Sequence, residues 1–592
     1  MINSMNNILS SSAAKNILRK IMPPILLLCF VSICFFSQFS NSVTVDEFVH
    51  FPAGIYILKT MDWRMDHPAP PLVKCFPAVS AIFTHPEIET KLFQKYPDLY
   101  GLGYRFMEQN KDRYRSIFTY GRSMIIFLGF LLGITIYFWG KELYGYKGAL
   151  FALILYAFNP NILAHASLIT MDIGVTLTIF LSVYGLWKYF KKPNAFSIVI
   201  AGVALGLAQL SKFTALLLYP VYFFIFGTLC IISLCKRKDE GIKSSVMTIS
   251  KYGKDFLMII FISIFMINLG YLFSGSFMPL SEYNLSSRLF NNLASLLWSG
   301  LPVPLPDHYI SGFDSQLMQS VGGNPFYIGY LMGEHSMSGW WYYYIVAFLV
   351  KNPVSWLIIL CLTVIAWLEI KIARNDIITF LCISMPVIFY CIYFSFFTNI
   401  PIGIRYLLPI FPFLFLASGF LFHQAIIKFK RIQYLLMFLI IIYVPSSLIA
   451  FPDYLSYFNI AAGGSRNGSH WLMDSNLDWG QSLPALKKYM DKNNIDKIKL
   501  GYFGRVDPEI YGIDYSLAEQ KPTQGIYAIS INFLVGRPYY LLKENTHELL
   551  YIDINYYDQY RYLEPSAVVG HSIYIFDLRN KFSARPSGKL HY

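Results

Sequence analysis

Apolar residues run along this chain in stretches far longer than a soluble core requires. The stretches near 21–39, 121–140, 148–164, 172–190, 196–211, 213–234, 256–274, 354–370, 377–397, 402–421 and 432–450 carry few charges. A helix needs roughly 20 apolar residues to cross the hydrocarbon core, so the pattern predicts about eleven spans, the shorter runs meeting that length least well. The basic residues between the runs test the count. Lys15, Arg19 and Lys20 precede the first run, Lys141 and Lys147 separate the second from the third, and Lys188, Lys191 and Lys192 lie between the fourth and fifth. Lys236, Arg237 and Lys238 follow the sixth, Lys371 and Arg374 the eighth, and Lys428, Lys430 and Arg431 the tenth. If the spans alternate, every cluster lands on one side, which the positive-inside bias makes the cytoplasm. The N-terminus is then cytoplasmic, and an odd count sends the C-terminus outside.

The same alternation exports three longer segments, about 41–119, 275–353 and 452–592. It divides the chain into a transmembrane module, 1–451, and a terminal domain, 452–592. The second exported segment ends in Trp340-Trp341-Tyr342-Tyr343-Tyr344, whose amphipathic rings suit an interfacial helix. The terminal domain shows a helix near Gln481–Asn493 and strand-like runs at Lys497–Phe503, Ile526–Leu534 and Ser572–Leu578. The expected fold is mainly α and polytopic, with a small external α/β domain.

Composition agrees. Of 592 residues, 55% are hydrophobic and 14% charged, with a mean hydropathy of +0.45, so lipid rather than water solvates much of the chain. A formal charge of +13 invites a nucleic-acid partner, but the Lys and Arg residues sit in short clusters beside apolar runs, where they set topology and touch anionic lipid. No nucleic-acid partner is expected. No Cys-x-x-Cys pair occurs and no Cys follows residue 450, which argues against a disulfide framework or a Cys-based zinc site. The first apolar run follows basic residues like a signal peptide. It lacks a small-residue cleavage site before Gln38-Phe39-Ser40-Asn41, so an uncleaved span is expected. Ile-, Asn- and Lys-rich usage is bacterial in character, placing the chain at a plasma (inner) membrane.

Chemistry concentrates at the exported ends of the spans. Thr44 and Glu47 form a capping box, so a helix begins just outside span one and puts Asp46 and His50, four apart, on one face. A carboxylate at a membrane boundary can act as general base towards a hydroxyl; for Glu47, a capping role weighs at least as much as a catalytic one. In Asp66-His67-Pro68-Ala69-Pro70-Pro71 the prolines force an extended entry to a helix that starts only at Pro71. His67 reads better as a hydrogen-bonded structural histidine than as a metal ligand with His50. Lys74 suits either snorkelling to lipid or a substrate phosphate. Asp172, Lys212 and Arg405 are ionisable groups at span boundaries, where charge is expensive, and Arg405 has the guanidinium fork that suits phosphate. Asp474, Asn476 and Asp478 read as turn-forming residues.

Several motifs in order resemble the protein O-mannosyltransferase-like branch of the GT-C glycosyltransferases, which includes the aminoarabinose transferases of lipid A. They are Asp46-Glu47, His67-Pro68-Ala69-Pro70-Pro71-Leu72, Thr170-Met171-Asp172, Gly202 to Ala208 running into Ser211-Lys212-Phe213-Thr214, Gly339 to Tyr343 running to Lys351-Asn352-Pro353, and Ile402 to Pro409. Tyr457-Phe458-Asn459 through Gly463-Gly464, and Asp474 to Gln481, look like the tail of uncharacterised bacterial members. The resemblance covers most of the chain. It implies a polyprenyl-phosphate-linked sugar donor, transfer on the external face, and a catalytic base from the first external loop, mapped to Asp46 or Glu47. Lys351-Asn352-Pro353 stands where Lys-Thr-Pro is expected, a change that bears on packing. No match to the DxD motif of the oligosaccharyltransferase branch is present, so no metal site is assigned and a divalent cation is the one cofactor left open.

The expected activity is inverting sugar transfer to an acceptor hydroxyl on protein, glycan or lipid. Asp46 or Glu47 serves as base, His50, His67, Lys74, Asp172, Lys212 and Arg405 contact substrate, and Trp479 stacks on sugar. A lipid-phosphate leaving group departs as an anion and needs positive charge rather than an acid. The competing classes are a transporter or flippase of a lipid-linked glycan and a non-catalytic envelope-assembly protein. Against transport, the candidate charges cluster at one boundary instead of the midplane.

Overall fold

The computed structural model describes residues 12–235, 242–320, 328–369, 377–423, 429–542 and 548–579. Lys236, Arg237, Lys238, Lys371, Arg374 and Lys428 of the basic clusters lie outside the described residues.

Among the described residues, eight helices are long and apolar enough to cross a membrane: Asn16–Ser40, Lys111–Ala157, Met171–Lys191, Phe213–Cys235, Val246–Gly270, Ile377–Phe396, Ile404–Phe422 and Lys430–Leu448. A ninth arises if Tyr343–Lys351 and Val354–Glu369, bent by 116°, count as one broken span. The bend falls at Asn352-Pro353, where proline pushes the preceding residue into an extended conformation (φ −116°, ψ 144°). Two of the eleven expected runs take another form. Residues 148–164 are not a separate long helix. Tyr114–Ala157 continues through a kink at Gly145, whose positive φ of 69° suits glycine, and a short helix, Pro160–Ala166, follows. The run at 196–211 forms Ala195–Gln209, whose 15 residues fall short of a full crossing.

Among the described residues the terminal domain carries a helix, Leu483–Lys492, a two-stranded antiparallel pair, Tyr539–Leu542 with Leu549–Ile552, and a five-stranded sheet: β1 (Lys497–Gly501), β2 (Asp514–Leu517), β3 (Ile526–Ser530), β4 (Ala567–Val569) and β5 (Ile573–Asp577). The order in the sheet is β2-β1-β3-β5-β4, parallel across the first three and antiparallel from β3 to β4. The three expected strands and the helix are present. The expected run to Leu534 stops at Ser530, whose hydroxyl caps a short helix, Ile531–Leu534. The sheet and the bundle share one hydrophobic core, so the two parts do not hang on a free linker.

Between the last span and the sheet, residues 454–482 cross the end of the bundle in short turns and are bonded to it. Lys351 Nζ donates to the carbonyls of Leu455 (2.8 Å) and Asn476 (2.6 Å). Asn459 Nδ2 donates to the carbonyls of Leu349 (2.6 Å) and Asn352 (2.7 Å), and Ile404 N donates to Asn476 Oδ1 (2.9 Å). The loop after the first span pairs with the same segment, through Ser42 N to Gln481 O (2.8 Å) and Val45 N to Trp479 O (3.1 Å). These bonds decide which faces meet at the cavity described next.

Candidate functional site

The helix Val45–Thr60 starts with the capping box: the Glu47 carboxylate accepts from Thr44 N at 2.9 Å. Its first turn points Asp46 and His50 one way and Glu47 another. Glu47 is fully buried, and Arg122 donates to it through Nε (2.7 Å) and Nη2 (2.6 Å) while Ile169 N adds a third donor at 2.8 Å. The remaining Arg122 donors hold the carbonyls of Gln38, Asn41 and Ser42. Both oxygens of Glu47 are thus used in a brace between the first loop and the helix Tyr114–Ala157. Of the Asp46–Glu47 pair only Asp46 lines a cavity.

His50 lies between two carboxylates, with Nδ1 2.6 Å from Asp66 Oδ2 and Nε2 3.9 Å from Asp46 Oδ2. Burial lowers its pKa, but Asp66 and Asp46 more than offset burial and leave it above the ordinary 6.5. Asp66 moves the other way: burial raises it, and Lys74 and His50 outweigh burial to hold it below the usual carboxylate value. A histidine whose folded pKa is raised stabilises the fold fully below 6.5 and loses that contribution as pH rises through the raised value. The wild-type melting temperature is therefore expected to fall as pH climbs above 6.5, and His50→Gln should flatten that part of the curve. Identical slopes in the two proteins would remove the His50 assignment.

Lys74 does not reach the cavity. Its ammonium is 2% exposed and spends its donors on the carbonyls of Asp66 (2.8 Å) and Ala69 (2.7 Å) and on Asp66 Oδ2 (3.4 Å). It pins the Asp66–Ala69 turn, which corrects the expectation that it contacts phosphate. Close packing there requires Gly54, where a Cβ would sit 2.1 Å from the Lys74 carbonyl oxygen. His67 is also turned aside: it meets His308 of the helix Asp307–Ser320 edge-on, with Nε2 3.4 Å from His308 Nδ1. Burial, then His308, lowers its pKa, consistent with a neutral packing partner rather than a group facing substrate.

Asp172, Lys212 and Arg405 come together as one cluster. Lys212 Nζ donates to Asp172 Oδ1 at 2.9 Å, and Arg405 Nη1 lies 3.9 Å from Asp172 Oδ2 and donates to Asp46 Oδ2 at 2.7 Å. Asp172 is 1% exposed and sits behind the two cations, with His165 Nδ1 3.7 Å from its second oxygen. Arg405 stacks on Trp479 at 4.3 Å and Lys212 on Tyr406 at 4.5 Å. Trp479 is 2% exposed, borders the cavity formed here and carries the Arg405 guanidinium on its ring, which positions that fork.

Asp46, His50, Lys212, Arg405 and Tyr406 line a cavity of about 620 Å³, within the range of small-molecule sites. Its other wall comes from the terminal domain and includes Asp474, Phe503, Arg505, Arg537, Tyr539 and Tyr540. Arg537 Nε lies 2.8 Å from Asp474 Oδ2, an ion pair. Asp474 and Asp478 accept from Ser475 N and Gly480 N, local bonds of the kind expected of turn formers, whereas Asn476 Oδ1 accepts from Ile404 N of the bundle, 72 residues away. Burial pushes Asp478 up to about 7. Arg505 and Arg537 carry no signal in the sequence: they lie in loops remote from any span, where an arginine reads as a solvated surface charge. A larger groove of about 970 Å³ between the first two long helices is apolar except for Arg19, Lys20, Ser123 and Lys141, and holds none of the candidate acids. Among the described residues, no group of three or more His, Cys, Asp or Glu could hold a metal ion.

Residues 119–238 match the model of the family described as dolichyl-phosphate-mannose-protein mannosyltransferase. That segment contains Asp172 and Lys212 but neither Asp46 nor Arg405. No curated protein gives a significant match. Among solved structures, the chain is similar to ArnT from Cupriavidus metallidurans in the apo state, with 14% identity over 69% of this chain and 60% of that chain and a TM-score of 0.39. It thus spans less than two thirds of that structure's length. It is also similar to ArnT from the same organism bound to undecaprenyl phosphate (10% identity, 86% of this chain, 93% of that chain, TM-score 0.44). A third likeness is to the oligosaccharyltransferase of Archaeoglobus fulgidus (10% identity, 90% and 73%, TM-score 0.40). Over residues 119–238 the family match agrees with the resemblance read from the motifs, and the apolar helices make the chain a multi-pass membrane protein.

Proposed function

We propose that the chain moves a sugar from a polyprenyl-phosphate-linked donor to an acceptor hydroxyl, with inversion, in the cavity between the bundle and the terminal domain, on the external face of the membrane. The observation that carries this reading is the single cavity in which Asp46 meets Arg405 at 2.7 Å with Lys212 beside them. Arg405 and Lys212 receive the donor phosphate, and Asp172 behind them orients both cations without itself facing the cavity. Asp46 takes the proton of the acceptor hydroxyl. The acceptor oxygen bonds to the anomeric carbon as the carbon–oxygen bond to phosphate breaks, and the electron pair leaves with the phosphate.

Inversion places base and leaving group on opposite faces of the sugar. The Asp46–Arg405 contact is therefore a resting pair that opens when phosphate competes for the guanidinium, with Lys212 and the face of Trp479 keeping Arg405 at the phosphate. Glu47 holds the helix that presents Asp46. The test is a transfer assay in membranes with a labelled polyprenyl-phosphate sugar, combined with reporter fusions at residue 46. Label in an acceptor fraction and an external reporter are expected. Donor moved across the bilayer with its sugar–phosphate bond intact would replace transfer by transport, and a cytoplasmic reporter would overturn the sidedness.

A further inference from the structure

Among the described residues, one guanidinium at the cavity faces no carboxylate, whereas the other cations there do. Among residues that line the cavity or pair with one that does, Asp46 faces Arg405, Asp172 faces Lys212, Asp66 faces Lys74 and His50, and Asp474 faces Arg537. No carboxylate among the described residues pairs with Arg505. This arginine is 7% exposed, lines the cavity, and its Nε and Nη1 lack any hydrogen-bond partner. Its plane lies among aromatic rings, 4.6 Å from the centroid of Tyr539, 5.2 Å from Tyr100 and 6.0 Å from Tyr540. Tyr100 comes from the first exported loop, so Arg505 is gripped by both parts of the molecule.

A buried guanidinium with unused donors is expensive unless an anion completes it. Cation–π contacts partly compensate for the lost water, and they hold the fork rigid while leaving its edge free. A planar fork of this kind pairs best with the two oxygens of a carboxylate or phosphate. The donor phosphate already has Arg405 and Lys212 at the ends of the spans, whereas Arg505 belongs to the terminal domain, in the loop after β1.

Resting on the transferase reading above, we propose that Arg505 binds an oxyanionic group, carboxylate or phosphate, on the acceptor. The acceptor is accordingly an anionic molecule, held by Arg505 while its hydroxyl is presented to Asp46.

Two probes separate this proposal from the reading on which it rests. Purified full-length protein in nanodiscs is titrated with inorganic phosphate, followed by the rise in melting temperature, and separately with polyprenyl phosphate. Arg505→Met keeps the length and the packing between the rings, and Arg505→Lys keeps the charge without the fork. Arg505→Met is expected to weaken inorganic phosphate about tenfold, the size of a charge-assisted hydrogen bond to an anion, with Arg505→Lys in between. Both variants should bind polyprenyl phosphate like the wild type, while Arg405→Gln should lose it. Phosphate affinity unchanged in Arg505→Met, with both variants folded, overturns the proposal. Equal losses of polyprenyl phosphate in Arg505→Met and Arg405→Gln also overturn it, because Arg505 would then serve the donor. Failure of the wild type to bind polyprenyl phosphate would count against the transferase reading itself, and phosphate binding that still depends on Arg505 would leave an anion site standing on its own.

Discussion

Asp46→Asn is expected to lower sugar transfer by about 10²- to 10⁴-fold, the usual contribution of a general base. Donor affinity should be retained or should rise. The two effects part because Asp46 has two roles in the resting site. It faces the cavity from the first turn of Val45–Thr60, and it occupies Arg405 Nη1 at 2.7 Å. Asparagine keeps the shape and an acceptor oxygen, but removes both the proton sink and the negative charge that competes with phosphate for the guanidinium. A falling rate constant with an unchanged or smaller donor KM is the signature. A purely structural role for the Asp46–Arg405 pair would lower melting temperature and leave the rate per folded molecule alone. Undiminished transfer would remove Asp46 as the base.

The second large effect belongs to the neighbouring acid and has the opposite character. Arg122→Leu is expected to destabilise the protein by about 3–5 kcal/mol, the range found when one partner of a buried ion pair is removed. Glu47 would remain fully buried with its negative charge uncompensated, and the carbonyls of Gln38, Asn41 and Ser42 would lose their donor. Glu47→Gln, which keeps the shape and one oxygen, should be milder. Its residual folded protein should transfer sugar at close to the wild-type rate, because Glu47 does not line the cavity. Melting temperature and rate per folded molecule, measured on both variants, separate the brace from the base. A large loss of rate in Glu47→Gln at unchanged stability would return Glu47 to the chemistry.

The neighbouring acids show how far residue patterns reach. Thr44 and Glu47 predicted a helix start, and the box is there. The four-residue spacing put Asp46 and His50 on one face, where they are found at 3.9 Å. No local pattern could show that Glu47 meets an arginine 75 positions away, or that Lys74 spends its donors on two carbonyls five and eight residues earlier. Those facts depend on which helix ends are brought together. Arg405 is legible as a costly charge at a span boundary, but no local pattern shows that its guanidinium lies on the face of Trp479.

Periodicity and charge placement by themselves determined that this is a polytopic chain, where most spans lie, that a small α/β domain follows them, and that the charges at span boundaries are the candidates for chemistry. They succeed because lipid demands long apolar runs and penalises every charge within them. Tertiary structure alone decided the kink at Gly145, the shortness of Ala195–Gln209, the closing of the cavity by the terminal domain, and the burial of Arg505 with no hydrogen-bond partner at Nε and Nη1. Outside the bilayer a charge costs little until another surface buries it. A loop arginine therefore becomes informative only once the fold has removed its water.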